Sequence, residues 1–153
     1  MVTNEVRDTH MFKEFAPLVG SLGYDVVDIR ESVVKGEHHL YLVIRNPKGN
    51  TSLKDCMDTH RLVYPRLTIL YDQRDVHLEV SSPGIQRKIK DVHEFHVFKG
   101  QLVSIMMESE WITGTIFSCD DQVLELSRAD TIERYDVNRI KKAKLEAYSP
   151  EGN

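Results

Sequence analysis

The sequence lacks the features that would place it in several specialised classes of protein. It has 153 residues and only two cysteines, Cys56 and Cys119. Two cysteines cannot build a disulfide framework, so we expect a protein that stays reduced. No stretch approaches the roughly 20 apolar residues of a membrane-spanning helix, and residues 1–10 lack the apolar centre of a secretory signal. These absences predict a cytoplasmic protein with no membrane partner.

A large excess of charge of one sign is also missing. The formal net charge is −4, which argues against nucleic-acid binding by bulk electrostatics. The distribution is uneven, since residues 1–90 carry 13 Lys and Arg against 12 Asp and Glu, a net charge of +1. Residues 91–153 carry 7 against 12, a net charge of −5. The acidic half suits a basic protein partner better than RNA.

Motifs for catalysis and for tight metal binding are absent as well. The chain has neither a Gly-x-x-x-x-Gly-Lys loop nor a Gly-x-Ser-x-Gly elbow. Cys56 and His60 are four residues apart, which permits a thiolate–imidazole dyad or a metal pair, but a zinc site needs two more ligands. His38 and His39 are adjacent on a predicted strand and point to opposite faces. We therefore predict no catalytic residue, no metal site, no cofactor and no small-molecule substrate.

The spacing of apolar residues predicts an α-β-β-α-β unit in the first part of the chain. Pro17 should bend or interrupt the second half of the first helix, and Pro65 should kink or shorten the second helix, because each removes one backbone hydrogen bond. Ser52 and Asp55 form a capping pair at the start of the second helix. The elements expected in chain order are a helix over residues 4–22, strands over 24–34 and 38–46, a helix after Ser52 and a strand over 75–81.

The pattern changes after residue 90. A short helical turn is expected over residues 93–98, and strands are expected over residues 100–107, 111–118, 121–127, 131–136 and 140–147. Several short strands in close succession are typical of a small barrel of the SH3 or Sm type. The predicted fold class is therefore α+β, with a KH-like layer domain over residues 1–90 and an SH3/Sm-like barrel domain over residues 91–153.

Residues 77–90, with the sequence HLEVSSPGIQRKIK, carry the most informative pattern. Strand-like alternation stops at Pro83, which has no backbone N–H, and Gly84, which tolerates positive φ, so a tight turn is expected here. Ile85 and Ile89 are spaced to pack one face of the following segment. A hydroxyl-rich turn followed by cations can bind phosphate, although it can also be a domain-ending turn with solvated cations. The candidate phosphate-binding residues are Ser81, Ser82, Pro83, Gly84, Arg87, Lys88 and Lys90.

The motif Leu-Glu-Val-Ser-Ser-Pro-Gly-x-x-Arg in this stretch resembles the signature of the bacterial ribosome maturation factors of the RimP family. Other segments resemble the same family in the same order, at residues 16–19, 22–28, 50–56, 111–116 and 140–145. The sequence departs from the family pattern at Gln86 and Lys88, which stand where an acidic residue and a proline are usual. A further departure covers residues 58–61, where the usual Ser-Arg after the cysteine is missing.

The resemblance implies an assembly factor that binds the immature 30S ribosomal subunit without catalysis. Its implied partners are 16S rRNA and, for the barrel domain, the strongly basic small-subunit protein number twelve. We expect a monomer. The candidate residues for the protein contact are carboxylates in predicted turns, each of which alone is more simply a solubilising residue: Glu108, Glu110, Asp120 and Asp121.

Two other functions stay open at this stage. One is a generic RNA-binding regulator with KH-like and Sm-like surfaces, against which stand the near-neutral charge and the missing Gly-x-x-Gly loop of KH modules. The other is a cysteine-dependent enzyme built on Cys56 and His60.

Overall fold

The computed structural model describes residues 1–72 and 75–146 and divides the chain into two compact units. The N-terminal unit is Val6–Pro83, and the C-terminal unit combines Met1–Glu5 with Gly84–Asn153. The sequence pattern instead predicts that residues 1–5 belong to the first domain. They join the second unit because Thr3 forms a parallel bridge with Asp91, with backbone hydrogen bonds to both neighbours of Asp91.

The N-terminal unit has the predicted order of helices and strands. A 3-10 turn, Val6–Asp8, precedes α1 (His10–Gly20), β1 (Asp25–Val34), β2 (Glu37–Arg45), α2 (Leu53–Leu70) and β3 (Val76–Ser81). The strands lie in the order β1-β2-β3, with β1 and β2 antiparallel and β2 and β3 parallel. The first helix begins later than predicted because the Thr9 hydroxyl accepts a hydrogen bond from the Phe12 backbone N–H and caps it there.

Neither proline ends its helix, so of the predicted effects the interruption of the first helix and the shortening of the second do not occur. Pro17 lies inside α1, and α2 continues past Pro65 to Leu70. Val63 and Leu67, on either side of Pro65, are fully buried. Burial of this apolar stripe offsets the backbone hydrogen bond that a proline removes, because tertiary packing supplies most of the stability of a helix.

Ser52 and Asp55 cap the start of α2, which confirms the predicted capping pair. The Ser52 hydroxyl accepts from the Asp55 N–H at 3.0 Å, and the Asp55 carboxylate accepts from the Ser52 N–H at 2.9 Å. The same carboxylate accepts hydrogen bonds from the Tyr24 hydroxyl and the Asn46 amide. These bonds, led by the one from the Ser52 backbone, lower the pKa of Asp55 to about 2.

The core of the N-terminal unit lies on one face of its sheet. Alternate residues of β2 are buried there together with apolar side chains of both helices, namely Phe15, Val19, Leu40, Leu42, Ile44, Val63 and Leu67. Because successive strand residues point to opposite faces, Glu37, His39 and Tyr41 lie on the other face of β2. That face is therefore free of the helical layer.

The C-terminal unit contains one six-stranded antiparallel sheet and a short helix. Its elements are β4 (Lys88–Ile89), α3 (His93–Val97), β5 (Leu102–Met107), β6 (Glu110–Cys119), β7 (Val123–Arg128), β8 (Thr131–Asp136), a 3-10 turn (Val137–Arg139) and β9 (Ile140–Leu145). The strand order is β4-β9-β5-β6-β7-β8. Residue 147, the predicted end of the last strand, lies outside the described residues.

The mixed α+β class is confirmed, but no closed barrel is found. Within residues 1–72 and 75–146, no strand pairing joins β4 to β8, so the C-terminal sheet has two edges. The register shifts in β5 and β6, as β-bulges do when they bend a strand. None of the helices in the described part of the chain combines the length and apolar character needed to cross a membrane.

Candidate nucleic-acid interface

The turn that follows β3 has the geometry expected from its sequence. Ser81 is the last residue of β3, and Gly84 has a φ of +82°. Ser82 and Gly84 are exposed, whereas Ser81 and Pro83 are half-buried. The turn thus leaves the sheet as predicted, and the role of these four residues in phosphate binding stays a prediction.

Arg87 has a different partner from the phosphate expected for it. Its guanidinium donates to the Glu94 carboxylate at 2.6 Å and 3.2 Å, and that carboxylate also accepts from the Lys90 backbone N–H at 3.1 Å. The Glu94 side chain is fully buried and that of Arg87 is only 10% exposed. This geometry makes Arg87 a residue that fixes the segment against α3. Ile89 is buried as expected, but Ile85 is 77% exposed and does not pack.

Lys88 and Lys90, the other cations of residues 77–90, lie beside two lysines of β9. Lys88 on β4 pairs with Lys144 on β9, and the inward-facing pair next to them is Ile89 with Ala143. The alternation continues beyond β4, because Lys90 and Lys142 are both exposed. We call this group the basic strip: Lys88, Lys90, Lys142 and Lys144.

An exposed aromatic ring borders the basic strip. Met106 on β5 pairs with Lys142 on one side and with Trp111 on the other. The Lys144 ammonium lies 4.9 Å from the centre of the Trp111 ring, and Trp111 is 44% exposed. Proteins bind single-stranded nucleic acid with groups of this kind. Lysines contact the phosphates, and an aromatic ring stacks on a base.

Only part of this surface is predicted from the sequence. Lys88 and Lys90 are among the candidate residues, whereas Lys142, Lys144 and Trp111 belong only to segments that resemble the family. The signal available in the sequence was the alternation of lysines with apolar residues in the last strand. Its meaning depends on the pairing of β9 with β4, a strand of two residues that is too short to show a period.

The four acidic candidates do not form one patch. Glu108 and Glu110 flank the turn between β5 and β6, whereas Asp120 and Asp121 follow β6. A ten-residue strand separates the two turns by about 30 Å. Glu108 pairs with Arg139 at 3.1 Å, both side chains being exposed. We call these groups the first acidic turn, Glu108 and Glu110, and the second acidic turn, Asp120 and Asp121.

The second acidic turn has a clear local role. The Asp120 carboxylate accepts hydrogen bonds from the backbone N–H groups of Gln122 and Val123, both at 2.7 Å, which lowers its pKa. The backbone carbonyl of Asp121 accepts a hydrogen bond from the Asn4 amide. Asp120 therefore forms its turn, whereas the carboxylates of the first acidic turn have no hydrogen bond to the backbone of their own turn among the described residues.

The two cysteines are placed unfavourably for nucleophilic chemistry. Burial raises the pKa of the Cys56 thiol, and burial together with the charges of Asp120 and Asp121 raises that of Cys119 to about 12. A reactive cysteine needs a lowered pKa, since the thiolate is the nucleophile. The ring of His60 stacks on Tyr64. This geometry gives no support to the cysteine-dependent enzyme.

The chain consists of two compact units that are joined in sequence at the Ser-Ser-Pro-Gly turn. Residues 14–86 match the family profile described as the RimP N-terminal domain. Over 142 residues the chain is 27% identical to a protein named ribosome maturation factor RimP from Borrelia turicatae (strain 91E135), a match that covers 92% of this chain and 96% of that relative. The resemblance is confirmed: the chain is similar to the RimP N-terminal domain over residues 14–86 and to a ribosome maturation factor over most of its length.

Proposed function

We propose that the protein binds the immature 30S ribosomal subunit in the cytoplasm and assists its maturation, as a monomer and without catalysing a reaction. The relative from Borrelia turicatae is named a ribosome maturation factor, and this name supports a general role in ribosome maturation. The basic strip beside Trp111 is the observation that supports direct contact with 16S rRNA. In this proposal the N-terminal unit is a KH-like layer, and the C-terminal sheet is an open variant of an SH3/Sm-like barrel.

The proposed RNA contact combines two kinds of interaction. The four lysines of the basic strip neutralise phosphates, and the exposed face of Trp111 stacks on an unpaired base. Arg87 acts indirectly, because its ion pair with Glu94 holds the strand from which Lys88 projects. The turn over residues 81–84 is proposed separately, as a source of backbone N–H donors to phosphate.

The sedimentation of the native protein tests this function. We expect the protein in a lysate at low salt to travel with small-subunit fractions of a sucrose gradient and to leave them as salt rises, because phosphate contacts release counterions. Purified mature subunits should retain less protein than immature ones. Migration only at the top of the gradient would contradict the proposal, and migration with RNA that lacks ribosomal proteins would favour the generic RNA-binding regulator.

We also propose that the first acidic turn contacts the basic small-subunit ribosomal protein. Replacing Glu108 and Glu110 with glutamine should lower the association rate at low salt several-fold and weaken its salt dependence, because opposite charges accelerate encounter. The matched control replaces Asp120 and Asp121 with asparagine, which removes the same charge about 30 Å away. Stopped-flow measurements should separate the two variants. Equal rates for both variants and the parent would contradict this contact.

A further inference from the structure

Three metal-ligating side chains meet on the face of the N-terminal sheet that the helices leave uncovered. His39 on β2 and His77 on β3 are paired residues of the parallel strands. Glu37 lies two residues before His39 and therefore on the same face. Their ligand atoms, two imidazole nitrogens and one carboxylate oxygen, all lie within 4.8 Å of one another.

The contacts within this cluster leave one nitrogen unsatisfied. The His77 Nε2 lies 2.7 Å from the Glu37 carboxylate. The His39 Nε2 lies 3.8 Å from the same carboxylate and, among the described residues, is buried without a hydrogen-bond partner. A buried polar atom without a partner is costly. The unpaired His39 Nε2 therefore suggests a ligand that binds this nitrogen together with Glu37 and His77.

We propose that Glu37, His39 and His77 bind one zinc ion or a chemically similar divalent transition metal. Two imidazoles and one carboxylate form a common zinc ligand set that leaves a fourth position for water. Tetrahedral bonds of about 2.1 Å bring ligand atoms to about 3.4 Å from one another. The rings of His39 and His77 stack with their centroids 4.7 Å apart, so the His77 ring must turn for both nitrogens to point at one ion. The His77 side chain is 56% exposed and that of Glu37 is 41% exposed, which leaves room for this adjustment. Magnesium and calcium are disfavoured because they prefer oxygen ligands.

The neighbouring histidine, His38, cannot join the site because successive strand residues point to opposite faces of the sheet. His38 points to the opposite face and stacks on Tyr71 at 3.9 Å. His38 and His39 point to opposite faces, so the sequence predicts no shared ligand for this adjacent pair. His77 is far away in the sequence and lies beside His39 only through the register of β2 against β3.

The proposed site goes beyond ribosome binding and has its own physical consequence. The metal would join β2 to β3, so it would stabilise the folded N-terminal unit by mass action. The test uses the untagged full chain after treatment with a chelator. We expect calorimetric titration to show one bound zinc ion per chain, to show no binding of magnesium, and to accompany a rise in Tm.

Single substitutions locate the ligands. His39→Gln and His77→Gln should each weaken zinc binding about tenfold or more and abolish the rise in Tm, since each removes one of three protein ligands. Glu37→Gln, which keeps the size of the side chain, provides a third test at an exposed position. His60→Gln is the matched control, because His60, like His39, stacks on a tyrosine ring and lies outside the cluster.

Three results would overturn the proposal. One is a parent protein that binds no zinc. Another is binding that the His39, His77 and Glu37 variants retain unchanged. The third is a cobalt complex with a thiolate charge-transfer band, which would place the metal at a cysteine. A cobalt spectrum with nitrogen and oxygen ligands only, lost in His77→Gln and kept in His60→Gln, would support the site.

Discussion

Replacing Glu94 with alanine should lower the free energy of unfolding by about 3–5 kcal/mol, the usual cost of leaving one partner of a buried ion pair without the other. The Arg87 guanidinium would lose the carboxylate that accepts two of its N–H groups, while its side chain stays 10% exposed. The Lys90 backbone N–H would lose its acceptor as well. Urea unfolding followed by the fluorescence of Trp111, the only tryptophan, measures this change in the C-terminal unit.

An exposed ion pair of the same sheet provides the control. Arg128 and Glu133 are separated by 2.9 Å, but both are more than a third exposed. Glu133→Ala should therefore destabilise the protein much less than Glu94→Ala, since solvent screens the pair. The double variant Arg87→Met, Glu94→Leu should recover most of the lost stability, because apolar side chains can replace a buried pair. Equal effects of Glu94→Ala and Glu133→Ala would show that the burial of the pair has no energetic importance.

The sequence predicted the N-terminal unit well because its signals are local. Apolar residues with periods of 3.6 and 2 indicated the helices and strands, and Ser52 with Asp55 indicated the start of α2. The errors came from interactions that the sequence does not display. The Thr9 cap shortened α1, and packing kept α2 intact beyond Pro65. In the C-terminal unit, the closure of a barrel depends on pairing between strands that are distant in sequence, which no local pattern specifies.

The candidate site was predicted less completely than the fold. From the sequence, Arg87 and Lys88 are equivalent cations in one segment. Their difference depends on Glu94, whose burial in α3 directs the guanidinium inward, while strand alternation directs Lys88 outward. Trp111 and the lysines of β9 join the surface only through the register of the sheet. The same limitation applies to the Glu37–His39–His77 cluster, which a parallel strand pair brings together.

Removing the basic strip should have the largest effect on RNA binding. Replacing all four of its lysines with alanine should make the plot of log K against log salt concentration shallower by about 3, because each lost phosphate contact contributes about 0.7 to 0.9. The affinity for the immature subunit at low salt should fall about a hundredfold or more. The structure should survive, since three of the lysines are exposed and Lys144 is half-buried, while the inward-facing Ile89 and Ala143 are unchanged.

A control variant that loses the same net charge elsewhere distinguishes phosphate contacts by the basic strip from attraction of RNA by the total charge of the protein. Four exposed lysines of the N-terminal unit serve this purpose when replaced with alanine: Lys13, Lys35, Lys48 and Lys54. This control should keep the parent slope within about one unit, because lysines that contact no phosphate release no counterions on binding. Equal losses of slope in both variants would mean that only total charge matters. A parent-like slope in the folded basic-strip variant would place the RNA contact elsewhere on the protein.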